Sequence, residues 1–143
     1  MRVEIDQSGR IEETNRDTVI AFSNGERFSI RISAKVKRQL LEVFRQRGKP
    51  KVFKHKVFAL GVVLLLHKSK ISPKNLSLII DHEYPGHENS IKDIIWSRFN
   101  SEVEIDFESV GKNSPAHEIA YYTYKKERKE DVKLTYKEIA VVA

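Results

Sequence analysis

A chain of 143 residues can bury one hydrophobic core, and with no cysteine it can form neither disulfides nor thiolate zinc sites. Its formal net charge of +6 favours polyanionic partners. The longest apolar run, Val57 to Leu66, falls short of the roughly 20 residues that a membrane-spanning helix needs. It therefore predicts a buried core helix and no membrane partner. The start, Met1-Arg2-Val3-Glu4-Ile5-Asp6, alternates charged and apolar residues and lacks the apolar stretch of a signal peptide. The expected location is cytoplasmic.

Taken in chain order, Arg2 to Asp6 alternates with Val3 and Ile5 on one face and predicts a strand. After a polar turn around Asn15-Arg16-Asp17, Thr18 to Phe22 and Arg27 to Ile32 predict two more strands. Asn24-Gly25 joins them as a type I′ hairpin signal, so three consecutive antiparallel strands are expected. Ser33 is a helix cap, and Val36, Leu40, Val43 and Phe44 recur at helical spacing until Gly48-Lys49-Pro50. A second stripe, from Phe53 through Leu60 to Leu65, predicts another helix, the two forming a bent pair.

Leu76 to Ile80 is an apolar run ending in Asp81, as expected for a strand buried on both faces in the middle of a sheet. Tyr84-Pro85-Gly86 turns the chain into an amphipathic helix through Ile91, Ile95 and Phe99, with Ser90 and Asp93 resembling a capping box. Val103, Ile105 and Phe107 alternate with acids and predict an edge strand. Ser114-Pro115 starts a helix expected to run to about Arg128, and Leu134 to Ala143 is a short helix or strand. The order βββαβαβα, with its first helical position expanded, predicts a single α/β domain over residues 1–143. Its mixed sheet has five strands, three antiparallel and then two parallel, flanked by helices.

Charge is unevenly spread. Twelve basic residues and one acid, Glu42, lie between Lys35 and Lys74. Lys35, Lys37, Arg38, Arg45, Lys51 and Lys54 are therefore expected to meet phosphates without reading sequence, helped by Lys112 in a later loop. The bland alternative for such a run is a solvated helix surface. Asp6 and Asp81 each follow an apolar strand. If those strands are neighbours, both carboxylates emerge at one sheet edge, where ligands of open α/β sheets bind. Hard oxygen ligands suit magnesium or manganese, and two such ions can assist phosphodiester cleavage.

Ile5-Asp6-Gln7-Ser8-Gly9, Ile79-Ile80-Asp81 and Ser114-Pro115-Ala116-His117-Glu118-Ile119-Ala120, in this order of elements, resemble the ribonuclease H-like superfamily. That group includes ribonucleases H, Holliday-junction resolvases and many transposases. The resemblance implies a first-strand aspartate at Asp6, a fourth-strand acid at Asp81 or Glu83, and a last-helix residue at His117, with Glu118 if the register slips by one. Asp6, Asp81, His117 and Glu118 are then the catalytic candidates. Asp6, Asp81, Glu83 and His117 are the candidate ligands for Mg or Mn. The departure is in the first helix, where the ribonuclease branch carries an early glutamate and this chain carries Lys35, Lys37 and Arg38. The resolvase layout is the better match.

Other readings stay open. Asp6 and Asp81 are also ordinary turn and strand-end residues, and Glu118 suits a helix N-terminus on dipole grounds alone. His82 and His87 are five apart across Pro85-Gly86, which does not fit the i, i+4 zinc spacing of a metalloprotease helix, although a looser histidine site is conceivable. Tyr121, Tyr122 and Tyr124 follow His117 and are candidates for stacking on bases or for packing. The leading expectation is a metal-dependent nuclease acting on structured or duplex nucleic acid. The alternatives are a non-catalytic nucleic-acid-binding module, or an interaction protein whose acidic edge strand pairs with a basic partner or with a second copy as a homodimer.

Overall fold

The computed structural model describes residues 1–111 and 113–143. Strands β1 (Arg2–Ser8), β2 (Thr18–Ser23) and β3 (Arg27–Ile32) form an antiparallel meander. Helix α1 (Ala34–Gln46) follows, capped by the Ser33 hydroxyl, which accepts from the Val36 N–H. A short 3-10 turn at Pro50–Val52 leads into helix α2 (Phe53–Ser69). Strand β4 (Ser77–Asp81) is followed by helix α3 (Glu88–Arg98) and strand β5 (Glu104–Glu108). Helix α4 (Pro115–Tyr124), strand β6 (Val132–Lys133) and helix α5 (Tyr136–Val142) complete the chain. The sheet is mixed, in the order β5-β4-β1-β2-β3-β6, with β4 parallel to both β1 and β5.

The architecture is therefore α/β with an antiparallel part and then a parallel part, but six strands replace the expected five. The sixth, β6, lies parallel to β3 and has two residues, too few to show any alternation in the sequence. Asp131 fixes it from outside the strand, its carboxylate accepting the Ser29 N–H at 2.8 Å. Three local expectations also change. Ser23 pairs with Arg27, so the hairpin has a three-residue loop with positive φ at Gly25 alone, not a two-residue type I′ turn. Helix α3 begins after His87, ahead of the Ser90 and Asp93 pattern, with Glu88 in its first turn. Helix α4 ends at Tyr124, because Lys126 takes a left-handed conformation that a helix cannot continue through.

Strand alternation assigns the helices to faces. Ile20 of β2 faces Gly61 of α2, whereas its neighbour Ala21 packs with Ile119 and Ala120 of α4. Successive strand residues point to opposite faces, so α2 and α4 cover opposite sides of the sheet. Helix α2 is apolar on all sides and is buried from Val57 to Leu66, between the sheet and α3. Each fully buried valine, leucine or phenylalanine contributes about 1.5–3 kcal/mol, which makes this helix the centre of the core. Gly61 permits the close approach: a Cβ there would sit 2.6 Å from Ile20 Cδ1.

The α4 face is held by a buried cation. Arg31 of β3 is 4% exposed. Its guanidinium donates to Glu130 Oε1 at 2.6 Å, to Asp17 Oδ2 at 3.1 Å and to the Thr123 carbonyl. One side chain thus ties β3 to the β1–β2 loop, the end of α4 and the segment before β6. Removing one member of a buried ion pair leaves its partners uncompensated, at a cost of about 3–5 kcal/mol. Because Asp17 and Glu130 keep partial solvent contact, Arg31→Met should lower the unfolding free energy by about 3 kcal/mol, near the bottom of that range, in a urea titration. A loss below about 1 kcal/mol, the level of a surface pair, would show that the network does not hold the fold.

Candidate metal centre

Strands β1 and β4 are neighbours, registered Val3 with Leu78 and Ile5 with Ile80. Asp6 and Asp81 each stand one residue beyond that last pair, so they sit side by side on neighbouring strands. Both belong to the face covered by α4, since they alternate with Ile5 and Ile80 of the opposite core. Glu83 follows in the loop after β4, its N–H donating to the Asp81 carbonyl at 2.9 Å. One carboxyl oxygen from each of Asp6, Asp81 and Glu83 lies within 4.8 Å of the others.

Each acid is held by named donors. Gln7 N–H donates to Asp6 Oδ1 at 2.8 Å, and His117 Nδ1 lies 2.8 Å from Asp6 Oδ2. Val110 N–H donates to Asp81 Oδ1 at 2.8 Å. Asp6 is buried, and Asp81 and Glu83 are half-buried. Burial and the neighbouring Asp81 charge raise the Asp6 pKa from 3.8 to about 6, against the lowering effect of His117 and the Gln7 N–H. Burial, and then Asp81 and Asp6, raise Glu83 from 4.5 to about 7, with Arg10 opposing. The three acids repel one another in a place that water only partly reaches.

A divalent cation would relieve that repulsion, and the donor set suits one. All three converging atoms are carboxyl oxygens, the hard ligands of magnesium, calcium or manganese. The residues present fit a hard divalent ion.

No protein-family model, curated protein or solved structure matches this chain.

The sequence-predicted residues divide as follows. Asp6, Asp81 and Glu83 are brought together. His117 reaches the cluster through Asp6, as the group that orients its carboxylate. Above the Asp6 pKa the carboxylate accepts, so Nδ1 carries the proton. Glu118, the next residue of α4, is exposed and lines a different groove with Arg27, Tyr122 and Arg128, outside the acid cluster. His82 and His87 engage different partners: His82 Nε2 lies 2.7 Å from Glu88, and His87 stacks on His55 with ring centroids 4.0 Å apart.

The basic candidates divide too. Lys35, Arg38, Arg45 and Lys51 are exposed and Lys54 is half-exposed. Helices α1 and α2, which carry most of them, share the core on the face opposite α4. Lys112 lies outside the described residues. Lys37 is not a phosphate contact. It is fully buried, and its Nζ donates to the carbonyls of Arg10 and Glu13 and to Thr18 Oγ1 at 2.7–3.0 Å. The signal was present in the sequence: Lys37, Leu40 and Phe44 fall on one helical stripe, so the lysine belongs to the core face. Its role is to hold the β1–β2 loop that follows Asp6. Arg31 and Arg10 carry no signal in the sequence: the first lies between the apolar residues Ile30 and Ile32 of a strand, and the second in a polar loop.

Two predictions follow from these environments. Lys37→Met removes the buried ammonium that ties the Arg10 and Glu13 carbonyls and Thr18 Oγ1 to α1, and should cost about 1–3 kcal/mol of stability in denaturant titrations while leaving nucleic-acid affinity unchanged. A loss of affinity without a loss of stability would reverse that assignment. The second concerns pH. Raised carboxyl pKa values mean that the folded protein holds protons more tightly than the unfolded chain between about pH 4 and 7, so stability falls as pH rises through that window. Asp17 and Glu130 are shifted the other way, and their contribution is lost only as pH falls below about 4. In metal-free buffer the Tm of the wild type, relative to Asp6→Asn/Glu83→Gln, should drop from about pH 4 to 7, and magnesium or manganese should restore it. Parallel pH curves for the two proteins would contradict this picture of the cluster.

Proposed function

We propose that the chain is a magnesium- or manganese-dependent phosphodiester hydrolase acting on nucleic acid. The observation that carries this reading is the convergence of Asp6, Asp81 and Glu83 at the carboxyl ends of two adjacent parallel strands. The sheet order β3-β2-β1-β4-β5, antiparallel through the first three strands and parallel in the last two, supports the resemblance to ribonuclease H-like proteins. The net positive charge supports a polyanionic substrate.

When bound, a divalent cation supplies stabilisation of charge on a phosphodiester and acidifies water. The residues do the rest. Asp6, Asp81 and Glu83 provide the negative, oxygen-lined hollow that holds the ion. Gln7 N–H and Val110 N–H fix one oxygen of Asp6 and of Asp81 respectively. His117 holds the second oxygen of Asp6 and leaves its Nε2 as the nitrogen available for proton exchange with substrate or water. It sits in the first turn of α4, where the positive end of the helix dipole favours an anionic phosphate.

A non-catalytic binding module is the second reading, favoured by the lack of any acid in the first turn of α1. The two readings separate in one assay. Branched DNA, RNA–DNA hybrid and RNA are each incubated with magnesium, with manganese and with EDTA. Metal-dependent cleavage of at least one is expected. Asp6→Asn and Asp81→Asn should each lower the rate about a thousandfold, the equivalent of several kcal/mol of charge stabilisation. His117→Ala should lower it about 10–100-fold, as for groups that orient a metal ligand, and Glu118→Gln should leave it unchanged. Salt-sensitive binding with no cleavage of any substrate would replace the hydrolase with the binding module.

A further inference from the structure

Helix α4 leaves an aromatic surface uncovered beside the acid cluster. Tyr121 and Tyr122 are 41% and 46% exposed, and the other exposed large apolar residues among those described are Met1 and Val141. Close to half of each side chain therefore meets solvent, where another molecule can reach it.

The arrangement of the rings is directional. His117, Tyr121 and Lys125 are spaced four apart and share one side of the helix. His117 touches Asp6. The rings of His117 and Tyr121 are nearly parallel, 9° apart, with centroids 6.2 Å from each other. Lys125 Nζ lies 5.8 Å from the centroid of Tyr121. Tyr122 meets Tyr121 edge-on at 5.6 Å, and Arg27 and Arg128 line the groove beside it. An aromatic platform therefore begins at the candidate centre and runs outward, flanked by Lys125, Arg27 and Arg128, with Glu118 the one acid among the residues lining the groove. Tyr124 is not part of it, because its ring packs on Gly9, where an added Cβ would sit 2.5 Å from it.

We propose that Tyr121, with Tyr122 beside it, stacks on an unpaired nucleobase, and that Lys125 takes the phosphate of the same strand. Planar rings bind any base through its π-face, and cations at their margin complement the phosphates that come with it. An apolar protein partner would make no use of the flanking Lys125, Arg27 and Arg128. In a fully paired duplex the base faces are buried in the stack, so this surface selects single strands or the unpaired nucleotides of branched and looped structures. The inference rests on the nucleic-acid reading above, and not on cleavage.

The test is fluorescence anisotropy of a labelled oligothymidylate and of a blunt duplex of the same length, in EDTA. The proteins are the full chain, Tyr121→Ala/Tyr122→Ala, Tyr121→Phe and Lys125→Ala. Stacking on one base corresponds to about a tenfold change in affinity, so the double alanine variant should bind the single strand about tenfold or more weakly. It should bind the duplex as before. Tyr121→Phe keeps the ring and should restore wild-type binding, and Lys125→Ala should flatten the salt dependence by about one ion.

Three results overturn the proposal: no binding of the single strand by the wild type, equal loss on single strand and duplex, or no loss in the alanine variant. Sedimentation velocity adds a fourth, a dimer that dissociates in Tyr121→Ala/Tyr122→Ala, which would show that a second copy covers the rings. Tyrosine-dependent binding without cleavage by any metal would end the hydrolase reading and leave the stacking site standing. Cleavage and binding that ignore the tyrosines would do the reverse.

Discussion

The parallel pairing of β1 with β4 is the contact on which the candidate centre depends. The residues of their first registered pair, Arg2 and Ser77, are 75 positions apart in the chain, and no local turn can join them. A parallel connection needs a long crossover, here α1 and α2, and the crossover is stable only because α2 is apolar on every side and buried. The same burial excludes water from the ladder that places Asp6 beside Asp81. A disturbance of α2 therefore reaches the acids without touching them.

Compensation of charge differs sharply between sites in this molecule. Lys37 and Arg31 are buried cations, and each is met by three oxygen partners. They serve as struts for the β1–β2 loop and for the end of α4. Among the described residues, Asp6, Asp81 and Glu83 carry like charge with His117, two backbone N–H groups and the distant influence of Arg10 against it. Folded proteins rarely leave such repulsion in place without a use for it. The contrast separates the structural ionic groups from the ones with chemistry to do.

The elements were legible where hydrophobic period was strong. β1 to β4, α1, α2 and the acidic edge strand all carry patterns of several residues, and the structure has each of them. The departures share a cause in weak or local signal. Two residues of β6 show no period, and its pairing is set by Asp131 reaching Ser29 from another part of the chain. The capping pattern at Ser90 lost to a helix start at His87. Among the basic residues, composition could not tell Lys37 from Lys35, although the helical stripe through Leu40 and Phe44 could. The location of Arg31 was not readable, since a strand's outer face is solvated or covered according to what packs there, and α4 covers it.

The sequence by itself determined the α/β class, the buried helix from Val57 to Leu66, and the acids that close two apolar runs, because periodicity and apolar run length are local properties of the chain. The tertiary structure alone decided that Glu83 joins Asp6 and Asp81, that His117 orients one of them, and that Glu118 stands apart. It also decided which cations are struts and which tyrosines are bare. Those outcomes depend on strand register and on which face a helix covers, and both are fixed by contacts between residues far apart in the chain.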